Sequence, residues 1–116
     1  MYKLVILVEE LDDWEAFEGE WPKFLHLVEE MPGLRREATS RVERFLYGDR
    51  SYIRMHELYF DNLKDAEMAL ASSQGQAAGR LLQQMTAGRM SLFFAEHKED
   101  DLANIRRYKL GENKAG

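Results

Sequence analysis

Three histidines, His26, His56 and His97, together with Glu57 and Tyr59, are the side chains of this 116-residue chain best suited to moving a proton near neutral pH. His26 follows Trp21 and Phe24 in a helical stretch. At about 100° per residue it points away from the apolar stripe those two residues share with Val28, so a surface or subunit-contact role competes with general-base chemistry. In the β-prone run YIRMHELYF, alternation puts Arg54, His56 and Leu58 on one face, and Met55, Glu57 and Tyr59 on the other. A carboxylate flanked by apolar neighbours needs either a cation, for which Lys3 or an arginine is available, or a raised pKa suited to proton transfer. His56 reads as a satisfied strand residue and Tyr59 as core. The histidines lack metal-ligand spacing and there is no cysteine, so no intrinsic metal and no cofactor are expected. Gly75 and Gly79 interrupt a helix without the strand-to-helix context of a dinucleotide loop. The catalytic residues therefore stay unassigned, with His26, Glu57 and Tyr59 as candidates. Trp21 and Phe24 join them as ligand contacts.

The elements that must position these groups follow from periodicity. Tyr2 to Val8 is apolar at odd and even positions, as in a strand covered on both faces. Asp12 with Glu15 reads as a capping box opening a helix in which Trp14, Phe17, Trp21, Phe24, Leu25 and Val28 form one stripe. Pro22 predicts a kink or restart in it, and Pro32 and Gly33 end it. Leu34 to Tyr47 reads as a long, charged edge strand with Ala38, Val42 and Phe45 inward. A turn over Gly48 to Ser51 then leads into Tyr52 to Phe60 as a hairpin. Asp61 or Asn62 caps a second helix, which Ser73 and Gln76 break and restart near Ser72; Gly88 closes it. Met90 to Ala95 is a last strand. The segment from Lys98 to Gly116 is polar, with a helical turn or two around Leu102 to Tyr108. The expected organisation is one domain over residues 1–97 and an extension over 98–116.

Composition narrows the function classes. A net charge of −5 opposes nucleic-acid binding, and Arg35, Arg36, Arg41 and Arg44 are interleaved with Glu37 and Glu43. The longest apolar run, Leu4 to Val8, is far short of the roughly 20 residues that span a bilayer. Together with the lack of cysteine and of a basic-then-apolar leader, this makes a cytoplasmic, membrane-free protein the expectation.

Strand, helix, strand, strand, helix, strand in a chain this short implies a ferredoxin-like split βαββαβ fold of the α+β class, an antiparallel four-stranded sheet with two helices on one face. The other face is left bare, at roughly 400 Å² in projection. Tyr2, Leu4, Ile6 and Val8 lie on one face of the first strand and Val5 and Leu7 on the other, with Leu92 and Phe94 opposed to Phe93 and Ala95 in the last, so the bare face is apolar too and needs a cover. A second copy is the simplest one, which predicts a homodimer closed as a dimeric α+β barrel.

MYKLVILVE at the start, MPGLRR at 31 to 36, and ELYFDNL with SSQGQA between Glu57 and Ala77 resemble the EthD-like family of dimeric α+β barrel proteins, small proteins met beside ether-degradation and polyketide-tailoring genes. The resemblance covers residues 1–97 and implies a pocket between sheet and helices in each subunit. Its wider superfamily includes cofactor-free monooxygenases, isomerases, decarboxylases and haem-degrading enzymes. The family pattern also implies a helix histidine eight positions before the proline of the Pro-Gly pair. This chain has Phe24 there, with Trp21 out of step. The functional expectation is a homodimer that binds a small apolar or aromatic organic molecule and acts on it without a cofactor, by proton transfer, oxygenation or a related step. The competing class is a non-catalytic ligand carrier, or an accessory module whose C-terminal extension docks to a protein partner.

Overall fold

Apolar side chains alternate along both central strands, and this dictates the layering found in a computed structural model of the chain, which describes residues 1–104. The order is β1 (Tyr2–Glu9), α1 (Trp14–Glu29), β2 (Arg36–Arg41), β3 (Tyr52–Phe60), α2 (Leu63–Ala71), α3 (Ser73–Thr86) and β4 (Met90–Glu96). The strands form one antiparallel sheet in the order β2-β3-β1-β4. The helices cover one face, and the shortest extent of the molecule is 19 Å, about one sheet plus one helix layer. This is the ferredoxin-like α+β fold. Of the C-terminal extension, Leu102–Asn104 form a helical turn capped by Asp101, while Tyr108 lies outside the described residues.

Leu4, Ile6 and Val8 of β1 and Leu58 and Phe60 of β3 point toward the helices, meeting Phe17, Phe24 and Val28 of α1 and Ala78 and Leu82 of α3 in one core. Lys3, Val5 and Leu7, Met55, Glu57 and Tyr59, and Phe93 and Ala95 line the opposite face, as their cross-strand pairing requires. That face is apolar around a polar patch. His97 and Glu99 cover its Tyr59 end, with the His97 ring edge-on to Tyr59 at 4.9 Å and Glu99 3.4 Å from Arg36.

Several boundaries differ from the sequence expectation. Asp13, one residue after Asp12, caps α1 by accepting from the Ala16 amide, and the helix runs unbroken through Pro22. Asn62 caps α2. Ser72 rather than Ser73 caps α3, accepting from the Gly75 amide at 3.0 Å. The α2–α3 break brings Gly75 so near the end of α2 that a Cβ on it would lie 2.1 Å from the Ala69 carbonyl. The long edge strand is shorter than expected. It stops at Arg41, and residues 42–51 form an irregular connection in which Leu46 and Tyr47 are exposed. Beyond Val42, whose amide donates to the Ile53 carbonyl, no ladder bond holds this segment to β3.

Candidate functional site

Alternation along β3 sends its polar residues to two separate places. On the helix face His56 is only 1% exposed. Its Nε2 lies 2.9 Å from a Glu37 carboxylate oxygen and its Nδ1 2.6 Å from the Thr39 hydroxyl. An ionised carboxylate can only accept, so Nε2–H donates to Glu37 and Nδ1 accepts from Thr39. Trp21 and Phe24 meet the ring edge-on, with centroids 5.2 and 6.3 Å away. Burial pushes the imidazole below its ordinary pKa, and the nearby Arg54 charge acts the same way. The Glu37 hydrogen bond and charge offset only part of this.

Arg54, two residues earlier on the same face, lies against three aromatic rings, 5.1 Å from Trp14, 5.3 Å from Phe17 and 4.6 Å from Trp21. Its Nη1 is 2.7 Å from Glu18, but neither Nη1 nor Nε makes a hydrogen bond among the described residues. The Glu18 ion pair and the cation–π contacts together compensate for burying this charge.

On the open face, Glu57 takes the first of the two alternatives left by its sequence context. Lys3 Nζ donates to its Oε1 at 2.8 Å, and the Tyr59 hydroxyl donates to Oε2 at 3.0 Å. Desolvation pushes the carboxyl pKa up, but the hydrogen bonds from Lys3 and Tyr59 and the Lys3 and His97 charges outweigh it, holding Glu57 below the usual carboxylate range. The Tyr59 hydroxyl is shifted up, by desolvation and by its bond to the Glu57 carboxylate. Glu57 is thus a fixed anion rather than a carboxyl poised to exchange protons.

The expected site residues are not gathered into one constellation. Trp21 and Phe24 stand together beside His56. Glu57 and Tyr59 share the opposite side of the sheet. His26 is 73% exposed on the outer side of α1, 3.3 Å from Glu30.

Between sheet and helices lies a cavity of about 30 Å³ whose walls are entirely apolar, including Leu4, Ile6, Phe24, Leu58, Gly79 and Leu92. One of its walls, Leu92, belongs to β4, where Leu92 and Phe94 remain 45% and 38% exposed. A wider cleft of about 340 Å³, lined by residues such as Trp14, Arg41 and Ile53, opens beside the α1 N-terminus. No group of three or more His, Cys, Asp or Glu side chains among the described residues could hold a metal ion. No helix among them is long and apolar enough to cross a membrane.

With fold and site described, the chain falls in the class of small ferredoxin-like α+β proteins. No family model matches it. Among curated proteins it is 25% identical over 99 residues to an uncharacterised 11.0 kDa protein of the thcB-thcC intergenic region of Rhodococcus erythropolis, covering 84% of this chain and 96% of that one. Among solved structures it is similar to an ethyl tert-butyl ether degradation (EthD) family protein of Bacillus halodurans, at TM-score 0.77 and 25% identity over 84% of this chain and 99% of the other. The chain is EthD-like in fold, as its sequence motifs suggested. A dimeric ferredoxin-like protein of unknown function from Bacteroides fragilis superposes at TM-score 0.60 with 19% identity over 83% and 95% of the two chains. SnoaB, a cofactor-independent oxygenase from Streptomyces nogalater, superposes at TM-score 0.61 with 13% identity over 85% and 93%.

Proposed function

We propose that this protein is a homodimer closed through the open face of its sheet, and that each subunit holds a small apolar or aromatic organic molecule between sheet and helices. The observation that carries the ligand reading is the cavity itself, apolar on every wall, one of which is the partly exposed Leu92 of the edge strand β4. A pocket of this kind selects by shape and apolar contact. At about 30 Å³ it must widen to admit a molecule. Gly79 provides room for that, since a Cβ there would meet nothing within 4 Å. The dimer reading rests on Leu7, Met55 and Phe93 on the open face, and fits the similar ferredoxin-like structures described as dimeric.

Two outcomes for the bound molecule are open to this geometry. Holding without turnover is favoured because neither His26 nor Glu57 nor Tyr59 lines the cavity. Cofactor-free chemistry, as in the SnoaB relative, would require one of them to reach the ligand in the dimer. Native mass spectrometry of the purified protein tests the proposal, with a dimer carrying an organic adduct as the expected result. A bare monomer, unchanged by added apolar probes, would remove it. Once a ligand is known, Glu57→Gln and His26→Ala separate the outcomes, since turnover would fall in an enzyme while binding in a carrier would persist.

A further inference from the structure

Two apolar surfaces find no partner among the described residues of this chain. The first is the connection over residues 42–51, where Leu46 and Tyr47 are 81% and 94% exposed and Phe45 touches Tyr52 edge-on at 6.2 Å. The second is β4, whose Leu92, Phe93 and Phe94 leave both of its sides exposed. β2, which leads into the connection, and β4 are opposite edges of the sheet. At three strand spacings, roughly 14 Å, two intervening strands separate them. An apolar edge strand left open invites uncontrolled pairing, so it needs a defined cover.

We propose that residues 42–51 form an arm that crosses to the second copy in the homodimer, laying Leu46 and Tyr47 on the partner's β4 and covering the exposed cavity wall there. This rests on the dimer reading above and adds to it what covers that edge. The area balance supports the assignment. A stable interface takes about 800 Å² of accessible surface from each partner. An aromatic side chain contributes about 150–250 Å² on burial, so the exposed Tyr47 and Leu46, with the 41% exposed Phe45, add a substantial share to what the open sheet face supplies. Symmetry supports it too, because a two-fold axis lets each arm meet the other chain's β4 and closes the assembly. Leu92 is a wall of the cavity and is also part of the exposed edge. An arm placed there makes each site a product of both chains.

Because the chain has no cysteine, the contact can be tested by directed cross-linking. A chain carrying Leu46→Cys and a differently tagged chain carrying Phe94→Cys are co-expressed and treated with a short bis-maleimide. The expected result is a covalent species joining the two tags, absent when either chain is treated alone. Absence of that species while light scattering still reports a dimer would overturn the arm and leave the dimer standing. A monomeric mass would overturn both. As a second measurement, Leu46→Asp with Tyr47→Asp should raise the dimer dissociation constant at least tenfold with an unchanged circular dichroism spectrum. An unchanged dissociation constant would also refute the arm.

Discussion

Replacing Gly79 by alanine should stabilise the protein, while the same change four residues earlier, at Gly75, should destabilise it. Both glycines lie on the inner side of α3 and line the cavity, so composition and position alone would rank them equally. The space around them differs. A Cβ at Gly79 meets nothing within 4 Å, whereas one at Gly75 would lie 2.1 Å from the Ala69 carbonyl oxygen and 2.8 Å from that of Leu70. At Gly79, alanine gains about 1 kcal/mol of helix propensity. For a domain of this size, a gain near 1 kcal/mol raises the melting temperature by roughly 4 °C. At Gly75 the backbone of the α2–α3 break must move, an overpacking cost of about 1–3 kcal/mol. Thermal unfolding followed by circular dichroism, at matched concentrations because a dimer melts in a concentration-dependent way, reads both signs. The added methyl also takes up space in the cavity, so Gly79→Ala should bind the native ligand more weakly even as it melts higher. A Gly79→Ala protein that melts below the parent, or a Gly75→Ala protein that melts with it, would refute the packing described for α3.

The ionisable groups give a second set of expectations. His56 has a lowered folded pKa, so its contribution to stability is complete above the ordinary histidine value near 6.5 and declines as pH falls below it. The folded pKa of Glu57 is lowered too; its contribution is complete above the ordinary carboxylate value and is lost as pH falls through the folded one. Urea titrations from pH 8 to 3 should show two successive losses, the first missing in His56→Gln; a flat profile between pH 7 and 5 would contradict the buried neutral imidazole. Breaking the Lys3–Glu57 pair with Glu57→Gln should cost about 1–3 kcal/mol. The double change Lys3→Met with Glu57→Leu should cost less than the sum of the single changes, as a double-mutant cycle in denaturant would reveal. His26→Ala should leave stability within about 0.5 kcal/mol of the parent, since its contact with Glu30 is solvent-exposed; a larger loss would point to a contact made in the assembly.

The elements of this chain were legible where a single strand or helix carries its own signal. Alternation in YIRMHELYF placed Arg54, His56 and Leu58 opposite Glu57 and Tyr59, as found, and Lys3 was one of the alternatives, beside an arginine or a raised pKa, that the cost of an unpaired carboxylate left for Glu57. Caps were read one residue off at Asp13 and Ser72, because adjacent Asp-Asp and Ser-Ser pairs offer the same acceptor to the helix amides. What escaped the sequence depends on contacts between strands. Glu37 and Thr39 partner His56 only because β2 pairs with β3 in a register that sets Thr39 opposite His56. The apolar letters of Val42, Phe45 and Tyr47 resemble a strand continuing, yet pairing with β3 ends at Val42. Arg54 has no sequence signal for its aromatic surroundings, since Trp14, Phe17 and Trp21 reach it only once α1 packs on the sheet.

The central claim is that the described residues of a single copy leave the β4 edge, Phe93 included, uncovered and Leu7 and Met55 on the open face only half-buried. Multi-angle light scattering of the full chain at micromolar concentration measures this most directly. The account predicts a mass twice the 13.6 kDa of one chain; a mass of one chain that persists as concentration is raised would contradict it.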